Sequence, residues 1–173
     1  MKYVVATFSL VAIIVALFIF GTFPNQNEEY LRIHIRANSN VEADQAVKYE
    51  IRDKVVDVLI PILADCKTKA EAEEAMQSNL LFIEKTADTI LLSHGFNYTS
   101  KAKLANEQFP TRSYESLTLE GGFYDALIIE LGEATGDNWW CVVYPPFCFL
   151  QTGNPNNIKY TSVLYEIISD WIN

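Results

Sequence analysis

Phe123-Tyr124-Asp125-Ala126-Leu127-Ile128-Ile129-Glu130-Leu131 is the stretch whose reading decides the fold. Read with a period of two, it splits into Phe123, Asp125, Leu127, Ile129 and Leu131 on one side and Tyr124, Ala126, Ile128 and Glu130 on the other. Both sets are largely apolar through the middle. Such a strand belongs inside a sheet with something packed on each face. The rest of the chain must supply its neighbours and its cover.

Working outward, Leu117-Thr118-Leu119 and the Gly121-Gly122 turn predict a hairpin with this strand. Phe109-Pro110-Thr111 breaks an earlier extended segment in which Tyr98, Ser100, Ala102 and Leu104 alternate with Thr99, Lys101 and Lys103, the pattern of an exposed edge. Two helices precede it. Thr68 with Glu71 forms a capping box before an apolar stripe of Ala72, Ala75, Met76, Leu80, Ile83, Ala87, Ile90 and Leu91, closed by His94-Gly95. Ser39 with Glu42 reads as a second capping box, opening a helix with Val47, Ile51, Val55, Val58 and Ile62 on one face and a disturbance at Pro61. Before that, Leu31, Ile33, Ile35 and Ala37 alternate with Arg32, His34 and Arg36, which predicts a half-buried strand with His34 on its polar face.

Downstream, Gly132 to Asp137 is a loop and Trp139 to Tyr144 a further strand, stopped by Pro145-Pro146. Gln151 to Asn157 is irregular, and Ile158 to Ile172 reads as a helix with Val163, Leu164, Ile167, Ile168 and Trp171 on one stripe. The expected fold is α+β: an antiparallel β-sheet covered by two long helices, plus a C-terminal helix.

The chain has 173 residues, half of them hydrophobic, and a formal net charge of −9. This suits one domain of ordinary size and disfavours nucleic acid and anionic lipid as partners. Tyr3 to Phe20 is uncharged and mostly apolar, with Lys2 before it and Glu28-Glu29 after it. That order marks residues 1–24 as a signal peptide or an N-terminal membrane anchor, with no clean small-residue cleavage site in front of Asn25. Residues 25–173 are then a single extracytoplasmic domain.

Export bears on the cysteines, because thiols outside the cytoplasm tend to be oxidised. Cys66, Cys141 and Cys148 make an odd number. A strand that halts at Pro145-Pro146 and doubles back brings Cys141 and Cys148 within disulfide reach, leaving Cys66 over; the other reading keeps all three as buried thiols. No catalytic or metal site is expected. There are two histidines, His34 and His94, and no local motif of a thiol or serine hydrolase, a zinc site or a phosphate loop. Asp53, Asp57, Glu71, Glu73 and Glu74 fall on polar helix faces and read as solvated surface. No cofactor is implied.

Gly136-Asp137-Asn138-Trp139-Trp140-Cys141-Val142-Val143-Tyr144-Pro145-Pro146-Phe147-Cys148-Phe149 concentrates aromatic residues. Asn138, Trp139, Trp140, Tyr144 and Phe147 are candidate partner-binding residues, since Trp and Tyr dominate interface energetics when exposed. The alternative is that they fill the core. Strand alternation sends Trp139 and Trp140 to opposite faces.

Several blocks carry a resemblance. Ala37-Asn38-Ser39, then Asp44-Gln45-Ala46-Val47-Lys48 and Ile51-Arg52-Asp53, then Phe109-Pro110-Thr111-Arg112, Tyr114, Leu117-Thr118-Leu119, Gly121 and Tyr124-Asp125-Ala126-Leu127, and finally Asn138-Trp139-Trp140-Cys141-Val142 with Pro145-Pro146-Phe147-Cys148-Phe149, resemble the stage II sporulation protein R family. The two last blocks are the specific ones. The chain departs from the family pattern at Asn40, where the family has Asp, and at Asp137, where it often has a basic or neutral residue. The resemblance implies a protein exported into the space between forespore and mother cell, or anchored to the outer face of the forespore inner membrane. It implies a signal that activates a membrane-embedded aspartic protease, which in turn processes a pro-sigma factor. On this reading the chain is not an enzyme. An alternative is a secreted enzyme acting on the cell wall during engulfment, which needs a pocket holding paired carboxylates or His34 with a carboxylate.

Overall fold

A computed structural model describes residues 29–114 and 117–145. The chain runs β1 (Leu31–Arg36), α1 (Glu42–Leu63), α2 (Lys69–Ser93), β2 (Ser100–Phe109), β3 (Arg112–Tyr114), β4 (Leu117–Leu119), β5 (Gly122–Leu131) and β6 (Asn138–Tyr144). Four strands form one sheet in the order β2-β5-β1-β6, and β3-β4 form a separate ribbon. The expected C-terminal helix, like residues 1–24, lies outside the described residues. Among the described residues no helix is long and apolar enough to cross a membrane.

The sheet is mixed, which corrects the antiparallel expectation. β5 runs antiparallel to β2 but parallel to β1, with Ile33 opposite Leu127 and Ile35 opposite Ile129. Parallel neighbours need a long crossover, and the two helices between β1 and β2 provide it. The predicted hairpin is also corrected: β4 pairs with β3, while β5 pairs with β2 from Ser100↔Leu131 to Phe109↔Gly122. Residues 110–114 and 117–121 therefore belong to an excursion from the β2–β5 hairpin. Gly121 sits at its base, where its N–H donates to Thr111 Oγ1 at 2.8 Å and an added Cβ would lie 3.3 Å from Thr111 N.

Both helices cover one face. Ile33 and Ile35 of β1, Leu127, Ile129 and Leu131 of β5, and Cys141 and Val143 of β6 share a core with Val47, Ile51, Val55 and Leu59 of α1 and Met76, Ile83, Ala87 and Leu91 of α2. The helical stripes read from the sequence are the buried ones in outline. Pro61 lies inside α1, which continues to Leu63, so the proline does not end the helix. α2 starts as expected: Thr68 Oγ1 accepts from the Glu71 N–H (3.2 Å), and Glu71 accepts from the Lys67 N–H (2.7 Å). His94 caps its end and Gly95 takes a left-handed φ of +77°.

The opposite face holds a second, aromatic core of Phe109, Leu119, Tyr124, Ala126, Ile128 and Val142, with Tyr114 and Trp140 against it. β1 is thus buried on both sides, not half-buried. Arg32 is 0 % and His34 4 % exposed, because the aromatic rings and the β3–β4 ribbon cover what alternation alone marks as a polar face.

Candidate functional site

The first resemblance motifs, from Ala37 to Lys48, meet the start of the Asn138-Trp139-Trp140 block where β1 leaves the sheet and β6 enters it. Asp44, in the first turn of α1, is 6 % exposed and accepts three hydrogen bonds: from Asn38 Nδ2 (2.8 Å), Ser39 Oγ (2.5 Å) and the Tyr98 hydroxyl (2.7 Å). Burial alone would raise its pKa, but the bonds from Ser39, Tyr98 and Asn38 outweigh it and hold the carboxyl below its usual range. Burial, and then the same carboxylate, push the Tyr98 hydroxyl well up. Ser39 is therefore not the N-cap expected from its spacing to Glu42. α1 starts two residues later, behind Val41, which has no side-chain cap; the Ser39 hydroxyl donates to Asp44 and accepts from the Val41 N–H (3.2 Å).

The β5–β6 loop closes on this cluster. Gly136 N–H donates to Ala37 C=O (2.9 Å), Thr135 N–H to Asn38 C=O (3.2 Å), Glu133 N–H to Asn38 Oδ1 (2.9 Å) and Asp137 N–H to Asn40 Oδ1 (2.6 Å). A Cβ at Gly136 would stand 2.2 Å from Ser39 O, and one at Gly132, whose φ is +56°, would stand 2.3 Å from Asn38 Oδ1. Gln45 donates to Ser39 C=O (2.9 Å), and Lys48, 1 % exposed, donates to Gln45 Oε1 (2.6 Å) and Asp137 C=O (3.0 Å). Burial lowers the Lys48 pKa, partly offset by Asp137. Asn38, Ser39, Asp44 and Gln45 thus form one clamp that fixes where β6 begins. Lys48 and Tyr98 complete it; the loop glycines were the sequence signal for such close approach.

From this fixed point β6 projects its aromatics. Trp139 turns to the helix side, where the Arg52 guanidinium lies 5.7 Å from its ring and 5.0 Å from that of Tyr49. Arg52 also binds Asp53 at 2.7 Å. Tyr49 is 44 % exposed, so Tyr49, Arg52 and half-buried Trp139 make a continuous aromatic and cationic strip. Sequence reasoning missed Tyr49 because it falls off the apolar stripe of α1. Trp140 faces the other way, 5.2 Å from the His34 ring and 4.4 Å below Arg112. Tyr144 is 6 % exposed and lies in the helix-side core, since a register shift at Leu31/Arg32 sets it opposite Leu31. Its ring is core material, not surface. Pro110 and Thr111 stand at the base of the ribbon; Pro145 is buried directly after β6. Pro146, Phe147 and Cys148 lie outside the described residues. Cys141 is buried, and Cys66 is a free, half-buried thiol whose pKa burial raises.

The aromatic face carries unusual polar atoms. The Arg32 guanidinium lies 4.3 Å from the Phe109 ring centroid and 4.8 Å from that of Tyr124, and Nη2 donates to the Tyr114 hydroxyl at 2.7 Å. Among the described residues, its Nε and Nη1, both ring nitrogens of His34, Asn138 Oδ1 and Trp140 Nε1 are buried without hydrogen-bond partners, although His34 Nδ1 lies 3.4 Å from Glu107 Oε2. Burial, and then the nearby Arg36 charge, lower the His34 pKa. Toward the end of this face, Arg36 binds Glu107 (2.5 Å) and Glu130 (2.8 Å), and Lys103 binds Glu130 (3.0 Å).

Comparison with known proteins agrees with the motif positions. Residues 27–154 match the family model described as stage II sporulation protein R. The stage II sporulation protein R of Bacillus subtilis (strain 168) is 33% identical over 132 residues, covering 76% of this chain and 59% of that protein. The chain therefore spans less than two thirds of the length of this relative. No solved structure matches the chain.

Proposed function

The chain belongs to the stage II sporulation protein R family, and a role in sporulation comes with that membership; from this premise we propose that it is an exported signalling protein that activates a membrane-embedded aspartic protease, which then processes a pro-sigma factor. The observation that carries the reading is the family match over residues 27–154. It acts in the space between forespore and mother cell, or from the outer face of the forespore inner membrane, with residues 1–24 as leader or anchor. The chain contributes binding and no catalysis of its own.

The clamp around Asp44 supports this role, since it holds the start of β6 rigidly and so presents the Tyr49–Arg52–Trp139 strip in one arrangement. A preorganised aromatic and arginine surface suits recognition of a protein partner. Export also supports a disulfide between Cys141 and Cys148, with Cys66 left free. The rival reading, a cell-wall enzyme, draws on His34 Nδ1 lying 3.4 Å from Glu107 Oε2. His34 is 4 % exposed behind Phe109 and Trp140, and a general base must reach its substrate.

Removing residues 1–24 tests the proposal in sporulating cells. The shortened chain should stay in the cell that makes it and leave the pro-sigma factor unprocessed. Undiminished processing contradicts an exported signal.

A further inference from the structure

The outer edge of β2 is guarded over only half its length. Ser100 N–H donates to Asp88 Oδ1 (2.6 Å) and Ala102 N–H to Glu84 Oε1 (2.8 Å), both carboxylates from α2. These bonds show that the even-numbered residues of β2 point their backbone N–H and C=O groups away from β5. The pairing with β5 runs without a register shift, so Leu104, Asn106 and Gln108 point outward too. Among the described residues no acceptor meets their N–H groups. Pro110, which has no N–H, follows the end of the strand. Among the described residues the open edge is thus a window of three residues between two carboxylate caps and a proline.

Beside that window lies a groove of about 230 Å³ lined by Leu104, Ala105, Asn106, Asp125, Glu73 and Leu31, among others. Leu104 and Asn106 stand on the helix-side face of β2, opposite Leu127 and Asp125, so the groove continues the edge toward α2. Glu73 Oε1 is buried and, among the described residues, accepts no hydrogen bond. Its nearest cation, Lys69 at 3.4 Å, is hydrogen bonded at 2.5 Å to Asp125.

We propose that the Leu104–Gln108 edge is a docking site for an extended segment of a protein partner, which adds a fifth strand to the four-stranded sheet and places a Lys or Arg against Glu73. Main-chain donors and acceptors repeating every second residue are what an extended segment matches, and side chains at alternate positions then select the sequence. A strand residue facing the helix side enters the groove. There the Glu73 oxygen without a hydrogen bond favours a cationic donor over an acidic or apolar side chain. The inference rests on the proposed activator role, which makes the protease the protein that supplies the segment.

Gln108→Pro is the decisive variant. Gln108 is exposed, and proline there removes an outward N–H while leaving the odd-numbered residues free to bond β5. With the full chain and membranes containing the protease, the concentration giving half-maximal proprotein cleavage should rise about tenfold or more for Gln108→Pro. It should be unchanged for Gln108→Ala. A photoreactive benzoylphenylalanine at the same position should cross-link to the protease, a readout that does not depend on the proline variant folding. Wild-type response from Gln108→Pro with its unfolding transition intact, or no cross-link at 108, overturns the edge site alone. Failure of the unsubstituted chain to stimulate cleavage overturns the activator role and this inference with it.

Discussion

Two clusters in this molecule bury charged or titratable side chains, Asp44 with Lys48 and Arg32 with His34, and are built on opposite principles. At the Asp44 clamp the carboxylate meets three donors, and Lys48 meets two acceptors. On the aromatic face, among the described residues, Arg32 has one hydrogen bond and His34 only a 3.4 Å contact with Glu107, and rings surround both. The difference teaches where specificity resides. A fully satisfied network fixes one geometry because each partner left unmatched is costly, whereas stacking on rings tolerates a range of side chains.

Breaking the clamp should have the largest effect. Asp44→Ala leaves the Ser39 hydroxyl, the Asn38 amide and the Tyr98 hydroxyl without their acceptor, and should lower stability by about 3 kcal/mol or more in urea unfolding. A loss under about 1 kcal/mol would mean that the network does not hold β6.

A smaller effect is expected from pH. The folded-state pKa of His34 is lowered from 6.5, so the unfolded chain binds a proton that the folded chain refuses. Its contribution is fully present above about pH 6.5 and is lost as pH falls toward the lowered folded value. Unfolding midpoints measured at descending pH should fall through this window, and His34→Gln should flatten the dependence. An unchanged slope in the variant would assign the effect to another group.

The smallest change should come from Arg32→Met. Desolvating a guanidinium costs several kcal/mol, and the rings of Phe109 and Tyr124 with the Tyr114 hydroxyl offset a comparable amount. Stability should therefore move by no more than about 1 kcal/mol in either direction. A loss of about 3–5 kcal/mol would show that the arginine has a charged partner in the native protein, and the contrast between the two clusters would fail.

Much of the fold was legible in residue patterns. The stripes of α1 and α2 and the doubly apolar run of β5 follow from periodicity, because burial of one or both faces writes itself into side-chain type. Strand partners were not legible. Alternation in β1 says which residues share a face but not that β5 runs parallel beside it, and it scored Arg32 and His34 as solvent-facing although aromatic rings from β2 and β5 cover them. At the candidate site the motif blocks marked Asn38, Ser39, Asp44 and Gln45, which do meet. Tyr98, some fifty residues further along, carries no local sign that its hydroxyl reaches Asp44 at 2.7 Å. Tyr49 was overlooked for the opposite reason: an exposed tyrosine on a helix has no periodic signature.

The most direct measurement of the proposed role reconstitutes the full chain with membranes containing the aspartic protease and follows cleavage of the pro-sigma factor under non-reducing conditions. Cleavage that rises with added chain and saturates is the predicted result. Cleavage at the same rate with and without the chain would contradict the proposed activator role.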